Sequence, residues 1–323
     1  MITSLEISGL RGIREGKMDN LTPLVILVGP NGCGKSTVLD ALLVGASENP
    51  QAALDVAVRR HVGLKDSARW LLWRGEQGIK AYITTTRDKG SPRKCALEVM
   101  GPADFQCQIV DDLPSGQAKR AINRESTSTH AGEESPFSAR LLEEPPGKED
   151  RPLHQLVTLA YQRGRRDKRV VEQVRGMVPG MEDVRILTEG DRGTPVVHLV
   201  LADRTVPVTL AGDGIHALLR VCFELASLDA QLVLLEEPES HQHPAAMRQT
   251  AWAIVNAVRE GMQVVLTTHS LELLDGFLAE SSPEDIDRLS VYRLQLIDGK
   301  LVAVAVPGRD VAFARGQIEE DLR

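Results

Sequence analysis

The segment Gly29-Pro30-Asn31-Gly32-Cys33-Gly34-Lys35-Ser36-Thr37 constrains the fold of this chain more than any other. It satisfies the pattern G-x-x-x-x-G-K-[ST] from Gly29 to Ser36. Before it runs Leu24-Val25-Ile26-Leu27-Val28, a continuous apolar stretch of the kind buried on both faces as a parallel strand. After it, a helix is predicted from residue 35 to about residue 44, with Val38, Leu39, Leu42 and Leu43 on one side. In such a strand–loop–helix the glycines let the backbone curl so that successive N–H groups face phosphate oxygens, helped by the helix N-terminus. Lys35 then reaches the β- and γ-phosphates and Ser36 ligates Mg²⁺. The pattern implies binding of ATP and Mg²⁺.

The rest of the chain supports an α/β fold. From about residue 51 to 185 the pattern is heterogeneous, with short strands expected at 79–86 and 95–100. Residues 111–152 are rich in Pro, Gly, Ser, Glu and Lys, so they bury little surface and read as a mobile segment. An apolar run at Leu156, Val157 and Leu159 then passes into the basic cluster of residues 163–169. Strong patterning resumes with a hairpin expected from 196–201 and 205–210 around Asp203-Arg204. A helix follows at 214 to about 228, then a strand at 232–235, a helix at about 245–260 and a strand at 263–267. Strands alternating with helices argue for a mainly parallel sheet.

Two of these strands end in chemistry-bearing residues. Residues 232–235 run into Glu236-Glu237-Pro238-Glu239. There Glu236 is placed to hold Mg²⁺ and Glu237 to orient or deprotonate an attacking water. Strand 263–267 runs into Thr268-His269-Ser270, and a histidine at the C-terminal end of a strand in an open α/β sheet lies where ligands bind. A further flexible turn, Leu210-Ala211-Gly212-Asp213-Gly214, opens a predicted helix and makes a second anion site. One phosphate cannot easily use both helix termini of the same subunit, which suggests two chains sandwiching ATP.

This order of motifs resembles the ABC-type ATPases of the RecF, SMC and OLD (overcoming lysogenisation defect) branch. Residues 2–13, Ile-Thr-Ser-Leu-Glu-Ile-Ser-Gly-Leu-Arg-Gly-Ile, look like the first hairpin of that branch. Residues 236–244, Glu-Glu-Pro-Glu-Ser-His-Gln-His-Pro, are similar to its E-E-P-E-x-H-x-H-P segment, and Thr267-Thr268-His269-Ser270 matches its T-T-H-S. The resemblance covers about residues 1–50 and 180–280. It implies a P-loop ATPase head over residues 1–323, with an antiparallel N-terminal β portion and a helical insertion within an inserted lobe at 87–180. It also implies a homodimer closed around ATP.

Carried over residue by residue, the resemblance makes Glu237 the catalytic base and His269 the γ-phosphate switch. Asn31, Gly32, Cys33, Gly34, Lys35, Ser36 and Thr37 cradle the nucleotide, and Gly212, Asp213 and Gly214 contact it in the partner subunit. Ser36 and Glu236 hold the metal. The glutamine of the family's Q-loop is assigned to Gln162, with Gln108 as the alternative. Arg11 approaches the base or α-phosphate, or serves the hairpin. His241 and His243 have the spacing of a metal pair, but their place in the segment favours a dimer-contact or structural role. Two departures stand out: Ala211 where many members have serine, and Glu236 for the commoner aspartate.

Composition narrows the remaining options. The hydrophobic share of 42% and charged share of 26% are those of an ordinary globular protein. A net charge of -7 exerts no overall pull toward nucleic acid, and aromatics at 3% argue against a surface of stacked aromatic side chains. DNA remains a candidate partner through the cluster at 163–169. Cys33, Cys95, Cys107 and Cys222 form no ligand pattern and read as reduced thiols. With neither a signal peptide nor a membrane-length apolar run, a cytoplasmic location is expected. The stretch after His269 is too short for the toprim nuclease of many OLD-like proteins, so a nuclease or toxin is expected on a separate chain. The favoured reading is an ATP-hydrolysing switch of DNA repair or mobile-element defence. An ATP-gated scaffold and, less favoured, a transporter subunit are the alternatives.

Overall fold

A computed structural model of the protein describes residues 1–59, 68–76, 78–101, 104–113, 116–121, 138–143, 151–191, 193–318 and 321–322. The chain opens with β1 (Ile2–Leu10), β2 (Ile13–Asp19) and β3 (Leu24–Val28), then α1 (Lys35–Ala46) and α2 (Pro50–Arg59). Two 3₁₀ turns at Ala68–Leu71 and Trp73–Gly75 lead to β4 (Ala81–Arg87), β5 (Arg93–Val99), β6 (Phe105–Leu113) and β7 (Gly116–Ala121). Next come β8 (Ala139–Glu143), α3 (Leu153–Gln162), α4 (Asp167–Arg175), β9 (Met181–Glu189), β10 (Thr194–Leu201) and β11 (Thr205–Pro207). The remainder is α5 (Asp213–Ser227), β12 (Leu232–Glu236), α6 (Pro244–Arg259), β13 (Gln263–Thr267) and α7 (Leu271–Glu280). It closes with α8 (Pro283–Ile286), β14 (Leu289–Ile297), β15 (Lys300–Pro307) and α9 (Gly308–Gln317).

One large sheet runs in the order β7-β6-β5-β4-β1-β2-β15-β14-β3-β13-β12-β8, and β9, β10 and β11 form a small antiparallel sheet. The fold is mixed α/β, as the alternation of elements predicts. The large sheet is parallel through β14, β3, β13, β12 and β8. It is antiparallel from β7 to β2, which includes the expected N-terminal β portion.

The continuous apolar runs have a direct physical reading. Successive side chains of a strand point to opposite faces, and here both faces are covered. Ile26 and Val28 of β3, Val233 and Leu235 of β12, and Leu266 of β13 enter a core shared with α3, α4, α5, α6 and α7. Val25 and Leu27, Leu232 and Leu234, and Val265 enter a second core built with α1, α2 and β1. Alternation of polarity would have exposed one face, and none occurs. Helix α1 is buried well beyond the one-sided stripe expected, because it packs against β1, β4, α2 and the parallel strands at once.

The middle of the chain divides. Arg93–Val99, Phe105–Leu113 and Gly116–Ala121 extend the large sheet, while α3 and α4 form the helical insertion against α5. Of the segment 111–152 read as mobile, residues 114–115, 122–137 and 144–150 lie outside the described residues, whereas Ala139–Glu143 pairs in parallel with β12. The hairpin expected at 196–210 is shorter than its pattern. Strand β11 stops at Pro207, whose ring supplies no N–H for a ladder, and Val208–Leu210 turns as 3₁₀. Among the described residues, no helix is long and apolar enough to cross a membrane.

Candidate functional site

Three parallel strands, β3, β13 and β12, lie side by side and end at one level. In register, Thr267 stands beside Leu27 on one side and beside Glu236 on the other. The backbone continues the alignment past the ladder: Thr268 N donates to Leu27 O at 3.2 Å and Glu237 N to Thr267 O at 3.2 Å. The loop at Gly29, the carboxylates at Glu236 and Glu237, and His269 therefore leave the same edge of the sheet. Crevices outside the carboxyl ends of strands are where open α/β sheets bind ligands.

The loop itself is tightly determined. Gly29 adopts φ 142°, and a Cβ there would lie 2.4 Å from the carbonyl oxygen of Leu294 in β14, so no side chain fits. Cys33 is buried beneath the loop, while Asn31 and Gly32 are exposed at its crest and Gly34 occupies the helix N-cap. Lys35 is 7% exposed, and its Nζ donates to the carbonyls of Gly29 (2.8 Å) and Pro30 (3.3 Å). The ammonium thus spans the hollow that the loop encloses. Thr37 is buried, one position after Ser36.

Two pairings unite residues far apart in sequence. The Ser36 hydroxyl donates to Glu236 Oε1, joining the start of α1 to the end of β12. His269 Nε2 lies 3.5 Å from Glu237 Oε1, and both side chains are partly exposed. Glu237 takes up φ 45°, rare for a residue with a side chain, and is held there by hydrogen bonds from its N–H to Thr267 O and Oγ1 (3.1 Å). A strained backbone kept in place by its surroundings fits a residue whose carboxylate must be aimed.

Glu239 is the contributor that residue patterns alone do not single out. It is 9% exposed, and its Oε1 accepts from Thr268 Oγ1 (2.6 Å) and His269 N (3.0 Å). Its Oε2 is buried without a hydrogen-bond partner among the described residues, and burial raises the carboxyl above its usual range. The carboxylate thereby bolts the acidic turn to the His269 turn. The signal for it is present in Glu236-Glu237-Pro238-Glu239, but only the folded chain shows that the fourth residue turns inward.

The other predicted site residues are distributed as follows. Arg11, at φ 50° in the β1–β2 turn, forms an ion pair with buried Asp40 of α1, which places the hairpin tip against the helix that carries Lys35 and Ser36. Gly212, Asp213 and Gly214 form the start of α5. Gly212 and Asp213 are exposed, and Gly214 abuts the backbone at His241. Leu210, just before them, is 76% exposed. Gln162 is exposed at the last position of α3, in the helical insertion. Gln108 lies in β6, bonded to Gln106 (3.0 Å). His243 caps α6 through Nδ1, accepting from Ala245 N (3.3 Å), which assigns that imidazole a structural task.

The basic cluster is engaged within the fold. Arg163 pairs with Asp229, Arg169 with Glu260, and Arg165 lies 3.4 Å from Asp167. Arg166 donates to the Leu228 carbonyl at 3.2 Å, near the C-terminal end of α5.

The residues present fit a hard divalent cation. A hydroxyl and a carboxylate in contact beside a loop of the phosphate-binding pattern are the oxygen donors Mg²⁺ takes, since it is commonly held by one or two carboxylates plus substrate phosphates.

Comparison with known proteins agrees with this arrangement. Residues 128–275 match a family described as "AAA domain, putative AbiEii toxin, Type IV TA system", and residues 4–100 match one described as "AAA domain". Two proteins of Methanocaldococcus jannaschii are similar in sequence. One, described as uncharacterized protein MJECL11, is 32% identical over 114 residues, covering 35% of this chain and 98% of its own length. The other, uncharacterized protein MJECL10, is 36% identical over 81 residues, covering 25% of this chain and a third (33%) of its own.

Among solved structures, an SMC head bound to the C-winged helix domain of ScpA aligns with a TM-score of 0.61 at 14% identity, over 95% of this chain and 97% of its own. An SMC head with an extended coiled coil, bound to the C-terminal domain of ScpA derived from Pyrococcus furiosus, aligns with a TM-score of 0.58 at 13% identity, over 99% and 100%. The SMC head domain from Thermotoga maritima aligns with a TM-score of 0.56 at 13% identity, over 94% and 98%. At such identities the likeness concerns the fold. The phosphate loop lies within one matched span and the acidic turn and His269 within the other, so both parts of the chain are similar to AAA domains, and its fold is that of an SMC head.

Proposed function

We propose that the protein is an ATP-hydrolysing switch that works as a homodimer, with residues 1–323 forming one head and residues 87–180 its inserted lobe. The observation that carries this reading is the convergence of Lys35, the Ser36–Glu236 pair and the Glu237–His269 pair on one sheet edge. A binding loop needs only the first. A carboxylate aimed by strained backbone, with a histidine 3.5 Å away, adds what hydrolysis needs.

In this reading Lys35 exchanges its bonds to Gly29 and Pro30 for phosphate oxygens, and the N–H groups from Asn31 to Thr37 surround the phosphates. Ser36 and Glu236 hold Mg²⁺, which when bound neutralises charge on the β- and γ-phosphates. Glu237 orients the attacking water and takes its proton. His269 donates a hydrogen bond toward the γ-phosphate and reports its loss. Gln162 is kept as the proposed Q-loop residue. Its exposed place at the end of α3 suits a contact made as the helical insertion closes.

Exposure of Leu210, Gly212 and Asp213 supports dimerisation, because the start of α5 faces outward, open to the ATP held by a second copy. Two of the similar SMC heads are bound to pieces of ScpA, which supports a separate partner chain for this head as well. We assign that partner the role of effector, a nuclease or toxin, in DNA repair or mobile-element defence within the cytoplasm.

ATP turnover measured for the wild type, Lys35→Ala and Glu237→Gln tests the proposal. Glu237→Gln should lose turnover by at least about a hundredfold, in keeping with general-base catalysis. It should also accumulate a dimer in MgATP, seen by light scattering. Ala211, which lacks a hydroxyl at the trans contact, favours a second reading, the ATP-gated scaffold. A wild-type rate no higher than that of Glu237→Gln, with dimerisation intact, would select it.

A further inference from the structure

Aromatic residues make up only 3% of the chain, yet two of its three tryptophans lie within four positions of each other. Each is paired with an arginine. The guanidinium carbon of Arg69 lies 4.9 Å from the Trp70 ring centroid, and that of Arg74 lies 5.1 Å from the Trp73 ring. Arg69 and Arg74 are exposed, and Trp70, although large and apolar, is 49% exposed. A packing role accounts for Leu71 and Leu72 between them and for part of Trp73, but not for Arg69, Trp70 and Arg74.

The surrounding fold ties this segment to the β1–β2 and β14–β15 turns. Arg11 N donates to Leu71 O at 2.9 Å, and Leu72 forms a β-bridge with Leu10. Trp73 packs on Gly299, in the turn between β14 and β15, so closely that a Cβ there would lie 2.3 Å from the ring. The Gly299 carbonyl accepts from Arg14 N at 2.7 Å, which brings the exposed Arg14 to the same corner, next to exposed Lys300. Among the described residues, Glu15 (3.6 Å from Arg14), Glu76 and exposed Asp298 beside Gly299 are the acidic neighbours along the chain, so four cations face three anions. The patch adjoins the Arg11–Asp40 pair and hence the helix that carries Lys35.

We propose that Arg69–Trp70 and Trp73–Arg74, with Arg14 and Lys300, form a stacking surface for single-stranded nucleic acid. Indole faces accept any base, and arginine and lysine neutralise the phosphates between successive bases; together these bind single strands without reading sequence. The surface favours a strand over a lone nucleobase because it repeats: two cation–aromatic pairs serve successive nucleotides, whereas one base occupies one. It favours a single strand over a duplex because a paired base offers no free face to an indole. In the cluster at 163–169, by contrast, Arg163 and Arg169 are tied into ion pairs, and Arg165 lies over a single ring, that of Tyr161. This inference names a partner for the proposed switch but does not rest on turnover, since binding is read directly.

The test uses the full chain and a fluorescein-labelled oligothymidylate of roughly twenty nucleotides, long enough to cover one site. Anisotropy should show saturable binding that weakens with salt, and tryptophan fluorescence should be quenched on addition of unlabelled oligothymidylate. The Trp70→Ala/Arg69→Gln variant should bind about tenfold or more weakly, as loss of one stacked base predicts. Its thermal midpoint and MgATP affinity should be unchanged. Lys35→Ala should retain strand binding while losing turnover, which separates failure of this proposal from failure of the ATPase reading. Equal binding by the Trp70→Ala/Arg69→Gln variant, or no binding by the wild type, would overturn the proposal. Preference for duplex of the same length would overturn it too. So would quenching by MgATP alone with weaker MgATP binding in that variant, which would reassign the pair to the nucleotide's own base.

Discussion

Glu239 Oε1 lies 3.0 Å from the backbone N of His269, a hydrogen bond between two turns that follow different strands of the sheet. The same oxygen takes the Thr268 hydroxyl at 2.6 Å, so one buried carboxylate sets the position of the His269 turn relative to Glu237. Removing the acceptor should therefore disturb His269 without touching substrate. Glu239→Ala should reduce ATP turnover by roughly ten- to a hundredfold, as a small misplacement of reacting groups does. Affinity for MgATP should change little, because the phosphate loop is intact. Glu239→Gln keeps an oxygen that can accept both bonds and should recover most of the rate. Steady-state kinetics of the three proteins decides the matter; equal loss in Ala and Gln would mean that charge, rather than the hydrogen bonds, is what counts.

Burial also makes the ionised form of Glu239 costly, raising its carboxyl above the usual range. The folded state then binds this proton more readily than the unfolded chain does. By linkage, this group's contribution to stability is greatest below its unfolded pKa and is lost as pH rises through the folded one. Asp285 works in the opposite sense. Arg259 and Ser282 donate to it (2.7 Å each), holding its carboxyl down to about 2. Its contribution is present above the unfolded value near 4 and should be lost as pH falls from about 4 to about 2. Acid unfolding of wild type and Asp285→Asn should converge at the low end of that window.

The Ser36–Glu236 contact predicts that these residues act as a unit toward Mg²⁺. Ser36→Ala and Glu236→Gln should each weaken the Mg²⁺ dependence of ATP binding, and the double variant should fall well short of the sum. Residues in direct contact typically show coupling of about 0.5–3 kcal/mol. Mg²⁺ titrations of nucleotide affinity across the four proteins measure it, and strict additivity would refute the pairing.

Gly29 should tolerate no side chain. Alanine there combines an unfavourable φ of 142° with a Cβ 2.4 Å from a carbonyl oxygen of β14, so the loop or the strand must shift. A loss on the order of 3 kcal/mol in unfolding free energy is expected. Nucleotide affinity should fall as well. Chemical denaturation alongside ATP binding checks both.

Helix α5, which begins at Gly212–Gly214, carries a buried ion pair between Arg220 and Glu224 at 3.2 Å, and Arg220 also donates to Arg151 O. Glu224→Ala leaves a guanidinium in the core and should destabilise the protein by about 3–5 kcal/mol. Replacing both residues by leucine or methionine should cost much less. Denaturant midpoints of the single and double variants measure the difference.

The sequence alone determined the local chemistry that its own neighbours enforce. Gly29 to Thr37, set between an apolar strand and a helix, carry the pattern of a phosphate cradle because glycine conformations, helix N–H groups and Lys35 act within one turn of chain. The unbroken apolarity of β3, β12 and β13 likewise announced strands covered on both faces, since a half-exposed strand must alternate. What the tertiary structure decided are the relations between strand ends. Ser36 meets Glu236, and Glu239 turns inward to His269, because β3, β13 and β12 stand in register, and register is a property of pairing that no single strand carries. The cluster at 163–169 reads as a run of positive charge along the chain, yet folding pairs Arg163 with Asp229 and Arg169 with Glu260 and turns Arg166 to helix-end carbonyls. Conversely, an aromatic share of 3% gave no sign of where the tryptophans lie, because composition averages over faces, whereas folding packs Trp73 on Gly299 beside Arg14 and Lys300.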